Sequence, residues 1–156
     1  MGKFTDIVNE NLEKKVKNLA IEMGIKSQGI NVEVCGLKRS KKDVGLVLKG
    51  NDMVERFTND PSLVLVALYE RAFDRVDEQT QDIWIMSLLN QISCDKEKDR
   101  IVITKPELNI GLGIYRKFGE IAVKKSELAL LTVQQINDED KAAKQANQTY
   151  KKDKKK

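Results

Sequence analysis

Hydrophobic residues near the start of the chain recur at three- and four-residue steps, with Lys and Glu between them. They are Phe4, Val8, Leu12, Val16, Leu19 and Met23. This period is typical of an amphipathic helix with one apolar stripe. Thr5 or Asp6 is a suitable N-cap, and Gly24 followed by Ile25 favours a left-handed end. We therefore predict an N-terminal helix whose stripe packs against another surface.

From Ile30 the hydrophobic period changes to two. Apolar and polar residues alternate over residues 30–34 and again over 44–48, with a polar loop between them. The pattern predicts two strands that pair as a hairpin. The loop carries a basic cluster of Lys38, Arg39, Lys41 and Lys42. Such a cluster either contacts phosphate or is an ordinary solvated hairpin tip.

The middle of the chain contains an apolar run of strand length. Residues 51–57 favour a short helical turn, which Asn59, Asp60 and Pro61 interrupt. Residues 62–68 then predict a central strand covered on both faces, with the start of a buried helix as the alternative.

The next element is predicted to be the core helix. Asp77 is a suitable N-cap, and the stretch to Ile92 is apolar over most of the helix circumference. Residues 100–104 alternate as in a strand, and residues 114–118 favour a short helix that Gly119 ends. A last helix begins near Glu120. Its predicted inner face comprises Ile121, Lys125, Leu128, Leu131, Thr132 and Ile136.

Together these elements predict an α+β fold. We expect a small, mostly antiparallel sheet packed against a buried central helix, with amphipathic helices at both termini. At 156 residues the chain is long enough for one ordinary core. Residues 1–137 are the predicted domain. Residues 138–156 lack an apolar stripe and are predicted to be a charged, lysine-rich tail, either a frayed helix or disordered.

The basic charge of the chain is concentrated at its end. Residues 141–156 contain seven Lys and one Asp and carry +6, whereas the whole chain carries +4, so residues 1–140 carry −2. The basic pI is therefore a property of the tail, and the domain is not a uniformly basic platform.

Two cysteines, Cys35 and Cys94, lie far apart without a metal-binding spacing, so we expect buried free thiols. The first residues include no apolar stretch of a secretory signal, and no segment approaches the length needed to span a bilayer. The sequence predicts a cytoplasmic protein without a membrane partner.

The chain has no histidine, which removes most nucleophilic triads and the HExxH zinc motif. Gly111 and Gly113 lack the third glycine of a dinucleotide fingerprint, because Arg116 stands there. Two clusters of acidic residues meet the minimum that metal-assisted hydrolysis requires. Both clusters fall at predicted helix ends or turns, where acids cap helices or face solvent. The clusters are Asp74, Asp77 and Glu78, and Asp95, Glu97 and Asp99. We predict no cofactor, no catalytic residues and no metal site.

Nucleic-acid contact has its best candidates in the tail. Trp84 lies among apolar neighbours and favours core packing, whereas Tyr150 lies among lysines, where an exposed ring can stack on a base. The candidate binding residues are the loop cluster together with Lys144, Tyr150, Lys151, Lys152, Lys154, Lys155 and Lys156. Clustered lysines attract polyanions, although basic tails also serve only to solubilise.

Residues 64–136 resemble a group of small phage-encoded, metallopeptidase-like proteins. The resemblance rests on the acidic stretch 74–79, the core helix, the segment 115–119 and the segment 130–136. In such a family the core helix would carry HExxH, but residues 86–90 here read Met-Ser-Leu-Leu-Asn. The resemblance implies a shared scaffold and a viral origin, in host cytoplasm or virion, and no catalytic residue.

Three functions remain open at this point. The leading hypothesis is a non-catalytic, phage-type accessory protein that binds a protein partner or nucleic acid, with the tail adding electrostatic attraction. The alternatives are a metal-dependent hydrolase using Asp74, Asp77, Asp95 or Asp99, and a homo-oligomeric structural component that associates through the apolar stripe of residues 4–23.

Overall fold

The computed structural model describes residues 4–7, 9–49, 62–95, 97, 100–104 and 112–154. The fold is α+β, as the sequence predicts. The described elements are, in chain order, β1 (Phe4–Thr5), α1 (Glu10–Glu22), β2 (Asn31–Leu37), β3 (Gly45–Lys49), β4 (Leu63–Leu68), α2 (Glu70–Phe73), α3 (Glu78–Leu89), β5 (Ile92–Asp95), β6 (Arg100–Ile103), α4 (Leu112–Phe118) and α5 (Glu120–Lys154). The helical turn predicted for residues 51–57 lies outside the described residues.

The larger sheet has the strand order β1-β2-β4-β3. β2 and β4 are parallel, whereas β1 pairs antiparallel with β2 and β3 pairs antiparallel with β4. The predicted hairpin is therefore wrong, because β4 lies between its two strands. All six residues of β4 are buried. A strand that is apolar on both faces is best covered in the middle of a sheet, so the prediction of a central strand is confirmed.

The loop between β2 and β3 has to cross over β4 because these strands are not neighbours. Two strand spacings amount to about 10 Å, a distance that residues 38–44 span easily. β5 and β6 form a separate antiparallel pair, which confirms the strand predicted near residues 100–104.

α1 begins later than its hydrophobic pattern predicts. Asn9, and not Thr5 or Asp6, is the N-cap, and its side chain accepts hydrogen bonds from the amides of Asn11 and Leu12. The predicted end is confirmed, because Gly24 has a φ of 77°. Three residues of the predicted stripe, Leu12, Val16 and Leu19, are buried within the fold, so their side chains are not available to a second copy of the chain.

α3 is the buried central helix. Asp77 caps it as predicted. Its carboxylate accepts hydrogen bonds from the Thr80 hydroxyl and, at 2.9 Å, from the Thr80 amide, and both bonds lower the pKa of Asp77. The indole of Trp84 donates to the Lys125 carbonyl oxygen at 2.7 Å. Its ring packs edge-on against that of Phe73, and the two ring centroids are 5.2 Å apart. The helix ends at Leu89 and not at Ile92, which begins β5.

α4 and α5 are separated by Gly119, whose φ is 70°. The prediction of the inner face of α5 is confirmed in part: Thr132 and Ile136 are buried, whereas Leu131 is 54% exposed. Ile121 is also exposed. Ala122 and Val133, which were not predicted, are buried as well.

The helix α5 crosses the boundary that the sequence predicts between the domain and the tail. α5 runs from Glu120 to Lys154 without a break at residues 137 and 138. No described helix is long and apolar enough to cross a membrane.

Candidate nucleic-acid interface

The basic loop between β2 and β3 has a defined conformation. The Ser40 hydroxyl accepts a hydrogen bond from the Asp43 amide at 3.0 Å and donates to the Asp43 carbonyl oxygen. This local ring closes the tip of the loop. Lys38, Arg39 and Lys41 remain exposed around it.

Asn137 attaches this loop to α5. Its side-chain amide donates to the carbonyl oxygen of Ser40 at 2.9 Å, with a longer contact to that of Lys41 at 3.4 Å. These atoms belong to residues 97 and 96 positions apart in the chain. The two basic segments that the sequence shows separately are therefore joined side by side.

A groove lies between the loop and α5. Lys38, Arg39 and Lys41 line one side, and Lys141 and Lys144 line the other. Of the described residues that line it, six carry positive charge and three carry negative charge. A concave surface with an excess of cations concentrates anions, because its field is focused between low-dielectric walls.

Ion pairs hold α5 against α2 and the turn that follows it, beside this groove. The Arg71 guanidinium donates to both carboxylate oxygens of Asp140, each at 2.8 Å, and Arg75 pairs with Glu139 in the same manner. Each arginine lowers the pKa of its partner carboxyl, and the pKa values of both arginines are raised. The helical turn of α5 that follows Asn137 is thus fixed to the domain, although the side chains of both ion pairs are substantially exposed.

Beyond this turn the described side chains of α5 are not buried against the domain. All side chains from Lys141 to Gln148 are exposed. At 100° per residue, Lys141 and Lys144 share the helix face on which Asn137 lies.

The candidate binding residues are distributed as follows. The structure brings Lys38, Arg39, Lys41 and Lys144 together in the groove, and Lys42 lies exposed in the same loop. Tyr150, Lys151, Lys152 and Lys154 lie in the last turns of α5, and Lys155 and Lys156 are outside the described residues.

Asn137, Lys141 and Arg71 were not singled out by the sequence pattern. The three-residue step from Lys141 to Lys144 is a signal for Lys141. No local pattern points to Asn137 or Arg71, because their partners are remote in the chain.

The other chemical candidates do not converge. Trp84 is buried, as predicted. Asp77 is engaged as a helix cap, and the Asp95 carboxylate accepts from the Glu97 amide at 3.1 Å. Asp99 lies outside the described residues, and within the described ones no group of three His, Cys, Asp or Glu could hold a metal ion. Gly111 is likewise not described, while Gly113 lies in α4.

Neither protein-family models, nor curated proteins, nor solved structures give a match to this chain. The resemblance of residues 64–136 to phage-encoded proteins stays a prediction. Arguments about function therefore rest on the geometry of the groove and of α5.

Proposed function

We propose that this protein is a non-catalytic accessory protein that binds nucleic acid in the groove between the β2–β3 loop and α5. The observation that carries the proposal is the Asn137 contact with the loop, which places the two basic segments on one surface. Cys35 and Cys94 are not joined by a disulfide, which suits a reducing compartment such as the cytoplasm.

The charge distribution supports a confined binding surface. Residues 1–140 carry −2, so a polyanion is attracted to the groove and to the basic end of α5 and not to the domain as a whole. Each lysine that neutralises a phosphate releases counterions, which favours binding and makes it sensitive to salt. The affinity for nucleic acid therefore comes from the cations of the groove and of α5, which the folded domain holds close together.

Titration of a fluorescent nucleic acid of about 30 nucleotides tests the proposal. Lys141→Ala/Lys144→Ala removes two groove cations. We expect about tenfold weaker binding at moderate salt and a slope of log affinity against log salt that is smaller by about two.

The matched control is Lys14→Ala/Lys124→Ala, which makes the same change in net charge at exposed positions outside the groove. The control should retain most of the affinity. Equal losses in both variants would show that only net charge matters, and undetectable binding by the unaltered protein at low salt would refute the proposal.

A second candidate function is self-association through the outer side of α5. Val123, Leu130 and Leu131 are exposed there, Leu130 by 45% and Leu131 by 54%. Exposed large apolar side chains close together are a feature of protein interfaces. Sedimentation equilibrium of the protein and of Leu130→Glu tests this candidate: a dimer that the substitution dissociates supports it, and a monomer at all concentrations excludes it.

A further inference from the structure

The projecting part of α5 has the dimensions of a groove-binding helix. From Lys141 to Lys154 it is about 20 Å long at 1.5 Å per residue. Each of its first eight residues is exposed, so their side chains are accessible to a ligand. An α-helix with its side chains is about 10–12 Å across, and the major groove of B-form DNA is about 12 Å wide.

The composition of this segment also suits contact with base edges. Lys141 and Lys144 stand at its start. Asn147 and Gln148 are exposed amides. Asn and Gln side chains can pair with adenine through one donor and one acceptor. At 100° per residue, Gln148 shares the helix face of Lys141 and Lys144, so lysines and an amide can meet one ligand together.

The loop lies where the edge of a duplex would pass. The basic residues Lys38, Arg39 and Lys41 flank the base of the projecting segment, because Asn137 holds their loop there. A helix inserted in a major groove has phosphates on both sides of it. The loop cations are therefore placed to contact one phosphate backbone while the lysines of α5 contact the groove walls.

We infer that residues 141–154 of α5 enter the major groove of double-stranded DNA, with Asn147 and Gln148 contacting base edges and the β2–β3 loop contacting phosphates. This inference rests on the proposed function and narrows its ligand to B-form DNA. Duplex RNA does not fit, because its A-form major groove is too deep and narrow for side chains to read. A single strand has no groove to accept a helix.

The first experiment compares three ligands of the same mixed sequence, each about 30 nucleotides long: duplex DNA, duplex RNA and single-stranded DNA. The full-length protein should bind duplex DNA about tenfold more tightly than either of the others at moderate salt. Equal binding of all three would overturn the inference and leave the proposed function standing. Binding of none would overturn both.

The second experiment tests contact with bases. Asn147→Ala/Gln148→Ala leaves net charge unchanged, and Gln134→Ala/Gln135→Ala is its matched control because these amides are exposed on α5 before Asn137. We expect the first variant to bind duplex DNA about tenfold more weakly with an unchanged salt slope. The control should bind as the unaltered protein does. If both variants keep full affinity, the amides do not contact bases and the inference fails.

A modified duplex locates the contact in the major groove. Replacing adenine by 7-deazaadenine deletes the N7 acceptor there and leaves the phosphates and the minor groove unchanged. The unaltered protein should bind this duplex several-fold more weakly, and Asn147→Ala/Gln148→Ala should not distinguish it from ordinary DNA. Equal affinity of the unaltered protein for both duplexes would place the amides away from adenine N7 and contradict the inference.

Discussion

The side-chain amide of Asn137 lies 2.9 Å from the carbonyl oxygen of Ser40 and donates a hydrogen bond to it. This bond joins a loop near the start of the chain to the long C-terminal helix. The ion pairs of Arg71 and Arg75 hold α5 to the domain, and the Asn137 bond fixes the basic loop against α5.

Asn137→Ala should weaken nucleic-acid binding without unfolding the protein. Loss of the bond to Ser40 should lower the free energy of unfolding by about 1 kcal/mol. The freed loop must then be ordered on binding, which should reduce affinity about threefold. Urea denaturation and fluorescence titration measure the two effects.

Gln135→Ala is the control for Asn137→Ala, since Gln135 is an exposed amide two residues earlier in the same helix. It should change neither the free energy of unfolding nor the affinity for nucleic acid. Unchanged affinity in Asn137→Ala would mean that the loop does not contribute to the binding surface.

The attachment of α5 to α2 and to the turn after it should weaken in acid. Pairing with Arg71 and Arg75 lowers the pKa values of Asp140 and Glu139. A carboxyl whose pKa is lowered by folding stabilises the native state fully above its unfolded pKa, and the contribution is lost as pH falls through the folded value. We expect constant pairing from pH 7 to about 5 and progressive loss below about pH 4.

Thermal unfolding of Glu139→Gln/Asp140→Asn against pH measures this effect. The variant should be less stable than the unaltered protein near neutral pH, and the difference should shrink as pH falls below about 4. Asp138→Asn is the control, because no ion pair of Asp138 occurs within the described residues. A difference that stayed constant down to pH 3 would contradict the assignment to ion pairs.

Trp84→Phe should lower the free energy of unfolding, although it replaces one aromatic residue by another. It removes the hydrogen bond to the Lys125 carbonyl oxygen and leaves unfilled volume beside Phe73. We expect a loss of about 2–3 kcal/mol in the free energy of unfolding. Because Trp84 is the only tryptophan, circular dichroism in urea is the suitable measurement.

The control for this change is Tyr115→Phe, in which the tyrosine is 45% exposed. It should shift stability by no more than about 0.5 kcal/mol. Similar losses in the two variants would show that Trp84 does not couple α3 to α5 as the structure indicates.

Hydrogen exchange should divide α5 into two parts. Amides of residues 124–137 lie in the segment packed on the domain, whereas the exposed side chains from Lys141 onward provide no burial. Helices without tertiary packing open readily. We expect slow exchange in the first part and fast exchange beyond residue 141, measured by mass spectrometry or NMR. Uniform protection along α5 would indicate that its projecting part is covered in solution.

Addition of duplex DNA extends this measurement. It should slow exchange beyond residue 141, since a bound helix frays less. No change on saturation with DNA would contradict the placement of this segment in the groove.

Local patterns predicted most of the elements because their causes are local. Gly24 and Gly119 end helices through backbone conformation, Asp77 caps α3 through its own side chain, and the apolar run of β4 requires cover on both faces. The start of α1 was wrong for the same reason. Phe4 continues the helical period by chance, but the structure pairs it with Leu37 in a strand.

The sequence by itself determined the α+β class, the central position of β4, the buried helix α3 and the concentration of basic charge at the end of the chain. These follow from periodicity, capping and composition, which act over a few residues. Only the tertiary structure decided that β4 separates β2 from β3, that Arg71 and Arg75 hold α5, and that Asn137 joins the basic loop to the basic helix. Such contacts depend on which surfaces meet after the core is packed, and no spacing along the chain encodes them.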